Sequence, residues 1–157
     1  MSAPLARTRR LRRSARVLLL DRAGCVLLFR YTAPGFDPFW ILPGGYCDPG
    51  EDFAAAAARE LLEETGIAAF PLPTGIVNEA DYEFLGEPVR AVEHMFWHRT
   101  ETRQIDTSGH TEAEQANMRE HRWFRAVEFS NWPEPVYPAN LAELAECFAA
   151  SGEGQAQ

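Results

Sequence analysis

Apolar and polar positions alternate or cluster in short runs along most of the chain. Residues 14–20 are mostly apolar and branched or long, residues 21–24 read as a turn, and residues 25–31 form a second apolar run. This predicts a hairpin-like pair of strands. A loop rich in Gly and Pro follows over 32–38, and residues 39–42 predict a short strand that delivers Pro43, Gly44 and Gly45. From Asp52 to Thr65 nearly every residue is a good helix former, and Gly66 stands where a C-terminal cap belongs. Beyond it, residues 68–87 give strand-like pieces broken by Pro71, Pro73 and Gly75, with a turn over 86–88. Residues 89–100 give a clearer strand, in which His94, Phe96 and His98 face one way. Residues 104–109 read as a loop, 111–119 as a loop or short helix, and 120–124 as an aromatic strand, followed by 126–129. Pro133, Pro135 and Pro138 mark a rigid connection. Residues 139–150 predict a last helix with Leu141, Leu144, Ala145 and Phe148 on one face. Strands, a helix, more strands and a final helix make an α/β domain with a mixed sheet between helices.

Composition narrows the class. With 157 residues, 46% of them hydrophobic, the chain has one domain's worth of core, expected over residues 14–150. No apolar run is long enough for a transmembrane helix, and the start lacks the pattern of a signal peptide, so a cytoplasmic location is expected. The cysteines Cys25, Cys47 and Cys147 are odd in number and widely spaced, which suits free thiols. All fifteen basic residues are Arg, and six fall in the first sixteen positions, ahead of any acid. Residues 1–13 are therefore expected to form a basic, flexible arm and residues 151–157 a flexible tail. The acidic remainder would repel a polyphosphate unless metal ions screened it.

Candidate chemistry concentrates in residues 45–67, GYCDPGEDFAAAAARELLEETGI. At about 100° per residue, Glu60, Glu63 and Glu64 share one arc of the predicted helix. Three acids at a helix C-terminal end repel one another and oppose the macrodipole, so a cation is expected among them. Hard oxygen ligands favour Mg²⁺ or Mn²⁺. The fixed spacing of Gly45, Glu51, Arg59, Glu60, Leu61, Glu63, Glu64, Gly66 and Ile67 fills every position of the Nudix box, and the chain resembles the Nudix hydrolase family there.

The resemblance implies a Nudix-like α/β/α sandwich with a central mixed β-sheet. It also implies a metal-dependent hydrolase that cleaves a pyrophosphate linkage in a nucleoside diphosphate joined to another group. Positions matching Glu63 and Glu64 bind metal in that family, Glu60 binds metal or acts as base, and the carbonyl of Gly44 is a further ligand. Glu51 and Arg59 are expected to be a structural ion pair. A further catalytic Glu commonly comes from the loop before the late strand, here Glu112, Glu114 or Glu120, with Glu114 favoured. Candidate substrate contacts are Arg30 at a strand end, Phe36 for stacking on a base, and His94 and His98 on one strand face; four apart on a strand, the two imidazoles cannot share a metal. The expected partner is a small-molecule nucleotide, with RNA as a lesser alternative through the Arg-rich arm, no membrane, and a monomer or homodimer. The rival reading is a nucleotide-binding regulator without turnover.

Overall fold

A computed structural model describes residues 8–153. The elements run β1 (Arg10–Leu20), β2 (Val26–Tyr31), β3 (Phe39–Ile41), β4 (Gly44–Tyr46), α1 (Phe53–Thr65), β5 (Leu72–Phe84) and β6 (Glu87–Arg99). After these come α2 (Glu112–Asn117), β7 (Glu120–Phe124), a 3-10 turn (Ala126–Asn131), β8 (Val136–Tyr137) and α3 (Leu141–Glu153). The strands form one mixed sheet in the order β5-β6-β1-β2-β3-β8, with β4 also paired to β1 and β7 to β2. β1 runs parallel to β6 along its whole length; on its other side residues 14–16 are antiparallel to β4 and its last residue pairs with β2.

The period-two pattern of β1 builds two cores at once. Ala15, Val17 and Leu19 pack on one face with Ala56, Ala57 and Leu61 of α1, while Leu18 and Leu20 pack on the other with Leu141, Leu144 and Ala145 of α3. β2 repeats the division, with Leu27 and Phe29 toward α1 and Val26 and Leu28 toward α3. Both faces are covered, so these strands read as continuous apolar runs. A slip of one residue would exchange the two cores, which fixes the register.

Three expectations are corrected. β1 starts at Arg10, so residues 10–13 belong to the sheet and are no arm. They pair with residues 89–92 of β6, and a backbone ladder accepts any side chain. The Arg side chains then lie on aromatic faces, Arg12 over Tyr46 and Phe84 and Arg13 over Phe53. Residues 1–7 of the expected arm lie outside the described residues. Second, the prolines before Gly75 do not break the next strand: β5 is a sheet edge, where Pro73 is tolerated. The register shift falls between Pro73 and Val77, with Gly75 at φ 82°. Third, residues 126–129 form the 3-10 turn, and α3 runs on to Glu153, past the expected start of the tail. Residues 154–157 lie outside the described residues. No helix among the described residues is long and apolar enough to cross a membrane.

Candidate active site

Helix α1 is capped at both ends, by Gly66 as the sequence marks and by Asp52, which the sequence reading counted as a helical residue. The Asp52 side chain accepts from the Ala55 N–H at 2.7 Å, and Gly66 closes the helix in the left-handed conformation with its N–H donating to Leu62 O. The loop ahead of the helix is tied to it by Arg59. The guanidinium donates to both oxygens of Glu51 at 2.9 Å, to Glu60 Oε1 at 2.9 Å, to Glu63 Oε2 at 3.1 Å and to the Tyr46 carbonyl at 2.9 Å. Glu51 in turn accepts the Asp48 N–H at 2.9 Å. The Arg59 hydrogen bonds, aided by the Asp48 N–H, outweigh burial and hold the Glu51 carboxyl down at about 2. Arg59 itself is pushed up by its bonds to Glu51.

Glu60 and Glu64 point inward and are buried, and Glu114 of α2 meets them from the opposite side. One oxygen from each lies within 4.8 Å of the others. Glu64 Oε2 accepts the Gly44 N–H at 2.8 Å. Burial first, and then a hydrogen bond shared with Glu114, push the Glu64 carboxyl well above its ordinary value. Burial works in the same direction on Glu114, but the Glu64 carboxyl and the Thr111 N–H and hydroxyl outweigh it and hold Glu114 down. Burial also raises Glu60, against the pull of Arg59. Glu63 shares the arc of the helix but is 41% exposed and turned to Arg59, outside the inward group of three. Buried carboxyl oxygens crowded together at a helix C-terminus, with no basic residue in its last turn, are of a kind that suits a hard divalent cation.

Two glycines let the strand approach. A Cβ on Gly44, at φ 149°, would fall 2.1 Å from Ala15 O; a Cβ on Gly45 would fall 2.7 Å from Glu60 Oε1. Glu114 is brought in by the segment after β6. Asp106 N–H donates to Thr65 O at 2.9 Å, His110 Nε2 lies 2.8 Å from Glu64 O, and Thr111 caps α2 in a capping box with Glu114. Sequence reasoning passed over His110 and Thr111, although the Thr-x-x-Glu spacing of the capping box is readable in residues 111–114. Of the other candidates, Glu120 pairs with Arg30 at 3.3 Å, and Glu112 is exposed in the first turn of α2.

A cavity of about 720 Å³ opens beside the strand that carries Gly44. Phe36, Phe39, Ile41 and Tyr137 line its apolar walls, and Arg16 and Glu93 form an ion pair at 3.1 Å in its lining. Arg16 is the register partner of Gly44 and also donates to the Leu42 carbonyl, so the cavity adjoins the acidic cluster. Arg16 was not singled out from sequence, where it reads as one more basic residue near the start. Phe36 is 74% exposed at the cavity. Arg30, by contrast, is taken up by Glu134 and Glu120 and lines a different depression. His94 stacks on Phe53 at 3.6 Å between ring centroids, and His98 is partly buried with its basicity lowered by burial; neither lines this cavity.

Comparison with known proteins agrees with this fold. The NUDIX domain model matches residues 10–145. The chain is 37% identical over 123 residues to an isopentenyl-diphosphate Delta-isomerase of Nocardia farcinica, covering 76% of this chain and 66% of that protein. It is 38% identical over 68 residues to a putative 8-oxo-dGTP diphosphatase of Bacillus subtilis, covering 43% of this chain and 44% of that protein. Against an RNA pyrophosphohydrolase of Dinoroseobacter shibae it is 43% identical over 60 residues, covering 36% and 35%. The chain thus spans less than two thirds of the length of each of these relatives. Among solved structures, the MutT protein of Methanosarcina mazei superposes with a TM-score of 0.63 at 20% identity, covering 94% of this chain and 99% of that one. The dihydroneopterin triphosphate pyrophosphohydrolase of E. coli gives 0.65 at 19% identity, covering 88% and 95%. At these identities the superpositions establish the fold, and together with the domain match over residues 10–145 they place the chain in the Nudix hydrolase family.

Proposed function

We propose that this chain is a divalent-metal-dependent hydrolase of a pyrophosphate linkage in a nucleoside diphosphate joined to another group. The observation that carries the reading is the meeting of Glu60 and Glu64, from a complete Nudix box, with Glu114 of α2 within 4.8 Å. Glu60, Glu64 and Glu114 would hold Mg²⁺ or Mn²⁺, with Glu63 at the exposed rim and the Gly44 carbonyl as a further candidate. An ion held there would supply charge neutralisation for the diphosphate and a lowered pKa for attacking water. Arg59 keeps Glu60 and Glu63 oriented, and the Gly44 N–H fixes Glu64. The cavity beside Gly44 would take the organic group of the substrate, with Phe36 stacking on a base and the Arg16–Glu93 pair meeting polar edges.

The test is a substrate panel in Mg²⁺ or Mn²⁺: nucleoside triphosphates, including 8-oxo-dGTP, nucleotide sugars, ADP-ribose, dinucleoside polyphosphates, capped RNA and isopentenyl diphosphate, with products identified by mass. At least one nucleotide should yield a nucleoside phosphate, and EDTA should abolish the reaction. Tight binding of a nucleotide without turnover in either metal would replace the hydrolase with a regulator. Isomerised isopentenyl diphosphate as the only product would replace it with an isomerase.

A further inference from the structure

The end of α1 and the start of α2 are joined by a strut that the chemistry itself does not need. α1 ends on carbonyls that its own ladder cannot satisfy, and three successive residues there meet the segment 106–110. The Asp106 N–H donates to Thr65 O at 2.9 Å, and the His110 imidazole reaches Glu64 O at 2.8 Å. Gly109 lies so close to Glu63 that a Cβ would fall 2.6 Å from its carbonyl oxygen. A carbonyl oxygen only accepts, so Nε2 of His110 carries the hydrogen and donates it. The ring is 6% exposed and sits edge-on to Phe29, with centroids 5.4 Å apart. Its main chain is held too, since its carbonyl accepts Gln115 Nε2 at 3.1 Å and its N–H donates to Thr107 O at 3.1 Å. One residue on, Thr111 and Glu114 lock each other: Glu114 N–H donates to Thr111 Oγ1 at 3.2 Å, and Thr111 N–H to Glu114 Oε1 at 3.0 Å.

We propose that His110 is a positioning residue that clamps the α2 segment to the last turn of α1 and so holds the Glu114 carboxylate against Glu64. The inference rests on the reading that Glu114 belongs to the cation site, and it adds what sets the position of Glu114. None of the six residues of α2 is buried, and its C-terminal end is anchored by Met118 in the α1-side core and by Asn117 O, which accepts the Thr32 N–H at 2.8 Å. At the N-terminal end, ahead of Glu114, the constraint comes from the link that runs from the Glu64 carbonyl through the imidazole to the Thr111 cap. A group acting this way does so only through Glu114, and its removal should matter only while Glu114 can bind.

The experiment is calorimetric titration of Mn²⁺ into the full chain, with circular dichroism as the check on folding. Compared are the unaltered protein, His110→Ala, His110→Gln, Glu114→Gln and the double variant His110→Ala/Glu114→Gln. His110→Ala should weaken Mn²⁺ about 10-fold, the scale for losing an outer partner of a metal ligand. His110→Gln, whose amide N–H can reach the same carbonyl, should recover most of the loss. The double variant should bind no more weakly than Glu114→Gln alone. Gly109→Ala pushes the same segment off α1 with the imidazole intact, and it should mimic His110→Ala; it decides the matter if His110→Ala fails to fold. Additive losses in the double variant, or full affinity in His110→Ala, overturn the proposal. No Mn²⁺ binding by the unaltered protein overturns the cation site, and the strut with it.

Discussion

Replacing Glu51 by glutamine should cost about 3 kcal/mol of stability at neutral pH and visibly less in acid. In the folded protein the carboxyl is held at about 2, against an ordinary value of 4.5, chiefly by Arg59. A depressed folded-state pKa contributes stability that is fully present above 4.5 and is lost as the pH falls through about 2. The distance between those values corresponds to about 3 kcal/mol at neutral pH and leaves about 2 kcal/mol at about pH 3.5. Both side chains are mostly shielded, Arg59 being 26% and Glu51 15% exposed, so screening removes only part of this. Arg59 keeps Glu60 and Glu63 in the variant, which makes the figure an upper one. Glutamine can still accept the Asp48 N–H but cannot take two charge-assisted bonds. The assay is urea unfolding followed by tryptophan fluorescence in EDTA, for both proteins, at neutral pH and at about pH 3.5. A stability gap that stays the same at both pH values, or that is below about 1 kcal/mol at neutral pH, would refute the reasoning.

Glu64→Gln imitates the protonated carboxyl, able both to accept the Gly44 N–H and to donate to Glu114. Calorimetry without metal should show an unchanged or raised midpoint, while turnover falls at least about 10²-fold; undiminished turnover would remove Glu64 from the site. Gly45→Ala sets a methyl 2.7 Å from Glu60 Oε1 and should cost about 1 to 3 kcal/mol in urea unfolding. A fully stable variant would mean that Glu60 can give way. Phe36→Ala should raise KM about 10-fold on a good nucleotide substrate with kcat nearly constant, as expected when one stacking face is lost. A fall in kcat with KM unchanged would place Phe36 elsewhere than on the bound base.

What could be read from residues alone were features set by local chemistry. The C-cap of α1 at Gly66 follows from glycine's freedom to turn left-handed, and the two-sided burial of β1 follows from the apolar run over 17–20. Helical periodicity places Glu60, Glu63 and Glu64 on one arc, but it cannot say which of them the fold turns inward. That depends on Arg59, which draws Glu63 outward, and on Gly45, which admits Glu60. The strand at Arg10–Arg13 was illegible because its partner lies in β6, and four residues with three Arg carry no apolar signal. β5 was hidden by prolines that only an edge position tolerates. The arrival of Glu114 at Glu64 is a long-range fact carried by His110, a lone histidine in a polar loop.

The position of β1 at the centre of the sheet has a consequence for how the chain is made. Its long parallel partner is far away in sequence, Ser14 and Glu93 being 79 residues apart. During synthesis β1, β2 and α1 emerge first, and they carry most of the α1-side core, which Phe96 of β6 and Met118 complete later. The opposite edge of β1 must then wait, with its backbone groups bare, until β6 has left the ribosome. At roughly 5 to 20 residues per second that interval lasts on the order of several seconds. Such non-local pairing slows folding relative to a helical chain of the same length. The open edge flanked by Arg9, Arg10, Arg12 and Arg13 is accordingly a charged one, and during that wait its charge opposes pairing with the same strand of another nascent chain.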